Sequence, residues 1–418
     1  MLESENFSNP SKKKQSLNRR QFLAGTSAAL TFTALKPGLA RGTNANSKIR
    51  LGLFGCGSRG GWIANLFKEN GGYELTAVAD YFQDRVDIVG NKLNVPQANR
   101  YTGLMGYKSL LDAGIVDAVA VESPPYFHPE QAAAAVEAGC HVYLAKPIAV
   151  DVPGCNTIAA SGKKATGKKL CFLVDFQTRA DPFYIEALKR VHDGAIGDFA
   201  FGEATYHAGC PWTQHLESLK NNPDNPEVQL RAWGLSPQLS GDIITEQNIH
   251  TLDVMNWIMD VPPCTAYGTG GRKVRTVGKC WDNFVLTFIY PNNVGIAFSS
   301  RQFNGHGTQP DGIRNRMFGN QGVLETQYGG QVLIRGKNFY KGGKSPGIYK
   351  DGAVANIKTF HDSIMAGKFD NPTVKPSVRS TMVTILGRTA AYENRVATWD
   401  EIINSKAKMQ PNLQGLKA

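Results

Sequence analysis

Short apolar runs recur through the first half of the chain, and each ends in a turn signal followed by a helical run. Ile49 to Phe54 is mostly apolar without clean alternation, as a strand buried on both faces of a parallel sheet should be. Gly55-Cys56-Gly57-Ser58-Arg59-Gly60 follows at once, then a helical run from Gly61 to Glu69. A second apolar strand, Leu75 to Ala79, ends in Asp80. Val116 to Val121 is a third, closed by the turn chemistry of Glu122-Ser123-Pro124-Pro125-Tyr126-Phe127-His128. Pro129 to Ala138 reads as a helix, with Pro at its first position and Gly139 after its end. His141 to Ala145 is a further strand that stops at Lys146-Pro147. Asp151-Val152-Pro153 opens another helix, and Lys169 to Phe176 supplies one more strand. Strands alternating with helices predict a doubly wound parallel sheet.

After residue 176 the pattern changes. Asp181-Pro182 caps a helix to His192, and Phe199 to Tyr206 reads as a strand. Residues 208–240, rich in Pro, Asn and Trp, predict a long irregular segment of the kind that often serves as a lid. One helix is expected over 243–259, stopped by Pro262-Pro263. Phe284 to Tyr290 and Val294 to Phe303, joined by Pro291-Asn292-Asn293, read as a hairpin. Further short strands are expected at 317–318, 322–326 and 331–334, and helices near 353–366 and 377–394. The second half is therefore α+β, with an open, mainly antiparallel sheet. The expected division is 48–175, 176–375, and 376–418 packing back on both.

Residues 1–40 stand apart from this patterning. A basic stretch containing Lys12, Lys13, Lys14, Arg19 and Arg20 precedes an uncharged run from Phe22 to Leu35, then Gly38-Leu39-Ala40. That order is a secretory signal, and Arg19-Arg20-Gln21-Phe22-Leu23 resembles the twin-arginine type. It predicts export to the periplasm or beyond, with the twin-arginine machinery as a partner.

Composition tests the remaining classes. The 418 residues are 42% hydrophobic and 19% charged, which is globular. The formal charge of +11 invites nucleic acid or a membrane surface. Without residues 1–40 there remain 40 basic and 33 acidic residues, a net +7. No later basic block with interleaved aromatics supports nucleic-acid binding. Seven cysteines, odd in number and with no Cys-x-x-Cys, argue against a disulfide framework or zinc knuckle.

Strand, G-x-G-x-x-G, helix, strand and acid make the pattern of a dinucleotide site. Gly55 permits the tight turn, Gly57 lets backbone approach a pyrophosphate, and Gly60 lets helix and strand pack closely. Ser58 and Arg59 open the helix, whose N-terminal N–H groups face the phosphates. Asp80, 20 residues after Gly60, can accept from ribose hydroxyls and would repel a 2′-phosphate, so NAD is favoured over NADP. Ser123, Pro124, His128 and Lys146 lie at or just beyond strand ends, where such sheets hold ligands.

Candidate chemistry lies on the helix expected over 243–259. Glu246 and His250 are four apart and share a face, with Asp253 on the same side. A His beside a carboxylate can serve as general acid or base. A metal reading fails for want of a second His at ligand spacing. Lys146 can donate a proton or hold a substrate hydroxyl. Arg179, Tyr206, Trp233, Gln247, Asp253 and Arg301 are candidates for binding a polyhydroxylated substrate.

Residues 49 to about 394 resemble the glucose–fructose oxidoreductase / inositol dehydrogenase family (Gfo/Idh/MocA). The carriers are Gly55-Cys56-Gly57-Ser58-Arg59-Gly60, Ser123 to His128, Ala145-Lys146-Pro147, and Gly241 to Asp253. The resemblance implies a Rossmann domain, a C-terminal substrate domain, and NAD(P)-linked oxidation or reduction of sugars and cyclitols. In the family's Glu-Lys-Pro, Ala145 replaces the Glu here. Glu246 stands where the family has an Asp before its catalytic His. The expected activity is hydride transfer between a carbinol carbon and tightly held NAD. Lys146 and His250 would be catalytic and Glu246 would orient His250. A related NAD-dependent glycosidase, working by transient oxidation and elimination, is the alternative, and a non-catalytic sugar or nucleotide sensor a second one. Homo-oligomerisation through the C-terminal sheet is expected.

Overall fold

The computed structural model describes residues 48–309 and 311–418; the expected signal segment lies outside them. In the first half the order is β1 (Ile49–Phe54), α1 (Ser58–Asn70), β2 (Tyr73–Asp80), α2 (Gln83–Leu93), β3 (Arg100–Thr102) and α3 (Gly106–Asp112). Then come β4 (Ala118–Val121), α4 (His128–Glu137), β5 (His141–Ala145), α5 (Val152–Gly167) and β6 (Phe172–Asp175). The six strands run parallel in the order β3-β2-β1-β4-β5-β6. The order reverses between β1 and β4, which opens a crevice beyond the strand ends.

The second half contains α6 (Pro182–His192), β7 (Phe199–Ala208), α7 (Leu216–Asn221), α8 (Pro226–Arg231), α9 (Pro237–Ser240), α10 (Asp242–Glu246) and α11 (Ile249–Met259). Next are β8 (Thr265–Gly271), β9 (Asn283–Ile289), β10 (Gly295–Gln302), β11 (Gly312–Gly319), β12 (Gly322–Gln327), β13 (Gln331–Gly336) and β14 (Tyr340–Lys344). The last elements are α12 (Ile348–Ala366), α13 (Val374–Glu393), β15 (Ala397–Thr398) and α14 (Trp399–Ile403). Nine strands form one sheet, β14-β13-β12-β11-β7-β10-β9-β8-β15, antiparallel except where β10 lies parallel to β7. The fold is thus a Rossmann-like parallel domain joined to a mixed, mostly antiparallel one.

Alternation decides which face of the second sheet is buried. Phe284, Leu286 and Phe288 of β9 point to the helices, while Val285 between them is 56% exposed. Phe201 and Tyr267 share the outer face, 47% and 53% exposed, and Phe201 stacks on Phe318 at 4.5 Å. Among the described residues no helix covers that face.

The two halves are stitched by late sequence. Phe360 of α12 packs into the first core beside Phe67 and Tyr143. Just before α13, Asn371 Oδ1 accepts from Phe172 N at 2.7 Å and Thr373 Oγ1 from Val174 N at 3.0 Å. These side chains occupy the hydrogen-bonding edge of β6, where a neighbouring strand would otherwise bind. Among the described residues no helix is long and apolar enough to cross a membrane.

The helix expected over 243–259 is in fact two. Asn248 N reaches back to Ile243 O at 2.8 Å, a wide turn that ends α10 before α11 begins. The apolar pattern runs straight through because both pieces are buried. The segment 208–240 holds three short α-helices and two single 3-10 turns rather than irregular chain throughout.

Candidate active site

The glycine loop is shaped by contacts that admit no side chain. A Cβ on Gly60 would lie 1.8 Å from Gly55 O, and one on Gly55, at φ +90°, 2.6 Å from Glu122 C and Ser123 N. Gly57 faces open space, its nearest neighbour Arg85 Nη1 at 3.7 Å. Two glycines thus serve close packing and one leaves backbone open to a ligand. At the end of β2, Asp80 accepts from Cys56 N at 2.7 Å and from Phe82 N at 2.9 Å. Each oxygen keeps a lone pair for another donor, and burial raises its pKa above the usual carboxylate range.

A cleft of about 350 Å³ begins at this loop. Gly57, Ser58, Arg59, Gly60, Ser123, His128 and Lys146 line it from the first domain. Tyr206, Trp233, Glu246, Gln247, His250 and Tyr328 line it from the second. A narrower cavity of about 50 Å³ continues past Gly55, Asp80, Ser123 and Pro124. All ten expected cofactor-contacting residues therefore border one or other of these spaces.

Lys146 leaves the end of β5 and is buried. Its Nζ donates to Glu246 O at 2.6 Å and Glu246 Oε1 at 3.1 Å, leaving one of three N–H donors unspent. Burial lowers its pKa, and the Glu246 carboxylate opposes that shift. The other oxygen of Glu246 accepts from Gln247 Nε2, and Gln247 Oε1 accepts from the Tyr206 hydroxyl at 2.5 Å. His250, 9% exposed, has an Nδ1 with no protein partner. Burial first, then the Lys146 and Arg59 charges, hold its pKa well below the usual histidine value. It is a neutral imidazole facing the cleft.

This corrects the expected link between Glu246 and His250. The break after α10 removes the shared helical face, and the Glu246 carboxylate is taken by Lys146 and Gln247. Glu246 therefore orients the lysine. Three expected substrate contacts also need correction. Asp253 is fully buried and paired with Arg179 at 2.9 Å and with Ser380 at 2.6 Å. Arg179 lies over Trp257. Arg301 donates to Ala208 O at 3.0 Å and pairs with Asp311 at 2.5 Å. None of the three lines the cleft, because each is spent on the second domain's own framework. His128 borders the cleft, its ring nitrogens 2.7 Å from Ser123 O and 2.8 Å from Pro147 O, and the neutral ring donates to one of the two. Burial pushes its pKa down to about 4.

Several residues at the cleft escaped the sequence reading. Glu122, which lines it, and Asp175, which stands behind it, lie at the ends of β4 and β6, flanking Ala145 on β5. Between them they clamp Arg59: its Nη2 lies 2.5 Å from Asp175, and its Nε 3.1 Å from Glu122 without hydrogen-bond alignment. Tyr349 Oη accepts a third contact at 3.1 Å. Burial opposes the Arg59 charge, but the two carboxylates outweigh it and raise its pKa. Burial pushes Glu122 up to about 7 despite Arg59. The position of both acids at strand carboxyl ends was a usable signal. Tyr328, in the turn after β12, gave none. Among the described residues no cluster of His, Cys, Asp and Glu is placed to hold a metal.

Two family models match the chain. The oxidoreductase family with an NAD-binding Rossmann fold (GFO_IDH_MocA) covers residues 49–173, and the GFO/IDH/MocA C-terminal domain covers 184–325. The protein is a Gfo/Idh/MocA family member. Among solved structures, this family member resembles myo-inositol 2-dehydrogenase from Lactobacillus plantarum, with TM-score 0.65 and 21% identity over 84% of this chain and 99% of that one. It also resembles aldose-aldose oxidoreductase from Caulobacter crescentus complexed with glycerol, with TM-score 0.63 and 20% identity over 84% and 99%. At those identities the likeness is one of fold. A glycosyl hydrolase family 109 protein from Shewanella sp. (strain W3-18-1) is 27% identical over 220 residues, 47% of each chain. The chain spans about half the length of the curated relatives it matches. As a Gfo/Idh/MocA protein it has an NAD-binding Rossmann domain, and the chain fits that group. The glycine cradle leaves no room for a Cβ where the backbone must pack, and Asp80 keeps acceptors free beside it.

Proposed function

We propose that this Gfo/Idh/MocA protein is an exported NAD-dependent oxidoreductase of a sugar, cyclitol or glycoside. The observation that carries the reading is the juxtaposition of Lys146 and His250 in the cleft that the glycine loop opens. Each has hydrogen-bonding capacity that no protein group uses. Their convergence argues for an enzyme over a sensor. Bound NAD supplies a hydride acceptor or donor at its nicotinamide ring. His250, neutral, takes the proton from a substrate hydroxyl in oxidation and returns it in reduction. Lys146 donates its spare N–H to the same oxygen and stabilises the negative charge that develops there. Glu246 fixes Lys146, while Tyr206, Trp233 and Gln247 offer a ring face and amide groups to a polyhydroxylated ligand.

Support for export comes from the ordered basic, apolar and small-residue segment at 1–40. Outside the cytoplasm free NAD is scarce, which favours a cofactor held through successive turnovers. The bare face of the nine-stranded sheet, with Phe201, Tyr267 and Val285 exposed, suits a homo-oligomer.

The test is direct. The nucleotide released on denaturing the purified protein is weighed by mass spectrometry, and a sugar and cyclitol panel is screened for reduction of the bound cofactor. NAD and at least one active polyol are expected. Undiminished turnover in both Lys146→Ala and His250→Ala variants would falsify the assignment. The similarity to glycosyl hydrolase family 109 proteins favours one other outcome, transient oxidation followed by elimination. Aglycone release from aryl glycosides, without added NAD or net cofactor reduction, would select that route.

A further inference from the structure

We propose that residues 404–418, together with the segment around α8, brace the walls of the adenosine site and so retain the dinucleotide there. The inference rests on the reading that the glycine loop binds NAD. After α14 the chain leaves the second domain and runs back over the first without helix or strand. Met409 N donates to Asp151 Oδ2 at 2.9 Å. Further on, Lys417 O accepts from Leu104 N at 3.0 Å, Lys417 N donates to the Tyr81 hydroxyl at 3.2 Å, and Lys417 Nζ to Thr102 Oγ1 at 3.2 Å. A Cβ on Gly103 would lie 2.1 Å from Ala418 O, and Gly103 has φ +91°. Glycine is thus required where this segment crosses. Leu416 packs in the cluster of Phe82, Leu104 and Leu230.

From the other side, α8 is held on the same ground. Arg231 forms a two-pronged pair with Asp84, at 3.0 and 2.7 Å, and lies 3.9 Å over the Phe82 ring. The Tyr81 hydroxyl that accepts from Lys417 N donates to Glu227 at 2.6 Å. One phenol therefore links both arms, and Tyr81 is the residue directly after Asp80.

Tyr81, Phe82, Gly103, Leu104 and Leu230 are also walls of the cavity beside Asp80. In a Rossmann domain the acid after β2 meets the adenosine ribose, so these walls enclose the adenine. The rings of Phe82 and Phe127 and the side chains of Leu104 and Leu230 suit a flat, mostly apolar base. No residue of 404–418 borders this cavity; the arm grips Tyr81, Gly103 and Leu104 from behind, while α8 contributes Leu230 to the lining. The hydrogen bonds and apolar contacts of both arms keep those walls from parting, which opposes release, and the dinucleotide behaves as a resident group.

The test compares dissociation rates of bound NAD, followed by exchange against a fluorescent etheno-NAD. The proteins are the full-length chain, a form ending at Ser405, and Tyr81→Phe, which keeps the ring and loses the oxygen joining the arms. Release should speed up about tenfold or more in the shortened form and roughly threefold in Tyr81→Phe, with unchanged circular dichroism. Wild-type release rates in both folded variants would overturn the proposal while leaving the NAD reading intact. Should the shortened form fail to fold, Tyr81→Phe and Leu416→Ser decide by the same measurement. Failure of the full-length protein to bind NAD at all would overturn both readings.

Discussion

The two ends of the cleft are built on different plans. At the wide end, polar side chains from both domains meet around Lys146, and most are pinned by partners. At the narrow end the lining is mostly apolar, and Asp80, Tyr81, Arg85, Tyr107, Ser123 and Gln131 are its polar side chains. Chemistry calls for groups fixed in advance around an accessible volume. Retention calls for walls that resist parting. A single dinucleotide spans both, so its two halves would meet one end held by polar pairs and one held by braced apolar walls.

The largest effect that could break this contrast is on turnover. Lys146→Met should lower kcat roughly 10³-fold in steady-state assays while nucleotide still co-purifies, since the narrow end is untouched. Loss of nucleotide instead would show that the two ends are not separable. Next is Gly60→Ala, whose Cβ would lie 1.8 Å from Gly55 O. It should cost about 1–3 kcal/mol in chemical denaturation and weaken NAD binding at both ends together.

The pH response of stability is the third test. Burial pushes His128 and His141 down to about 4, from an ordinary 6.5. Their depressed pKa values favour the folded state above pH 6.5, and that contribution is lost as pH falls through 4. Each is worth up to about 3 kcal/mol, and His128→Gln should flatten the acid limb measured by urea denaturation. Glu122, raised to about 7, works oppositely: its contribution is fullest below about 4.5 and declines as pH rises to 7. The smallest effect sharpens the wide end alone. Glu246→Gln removes the charge that opposes the burial of Lys146, so the lysine pKa falls further. The alkaline limb of kcat/KM should move to lower pH, with a loss of about tenfold at the optimum.

The first domain was readable because its signals are local. The strands are continuous apolar runs, and the glycines that shape the loop fall within six residues of one another, although Gly55 also packs on Glu122 and Ser123 of the next strand end. In the second domain the decisive events are tertiary. The break at Gln247–Asn248 is invisible in the pattern because α10 and α11 are buried on nearly every side. That break turned Glu246 toward a lysine 100 residues earlier in the chain. Arg179, Asp253 and Arg301 bear the same side chains a sugar site would use, and only packing shows them spent elsewhere. Clamping of Arg59 by Glu122 and Asp175 could have been suspected from strand ends, but that both acids meet one arginine is visible only in the fold.

The capped edge of β6 bears on how the chain is made. Phe172 and Val174 find their partners, Asn371 and Thr373, 199 residues further along the chain. A nascent chain that has released only its first domain exposes an open strand edge and lacks Phe360 from its core. That domain should be a poor autonomous folder, prone to pairing with other chains until α12 and the residues before α13 have been synthesised. Its folding is then a late event, completed on the whole polypeptide rather than domain by domain.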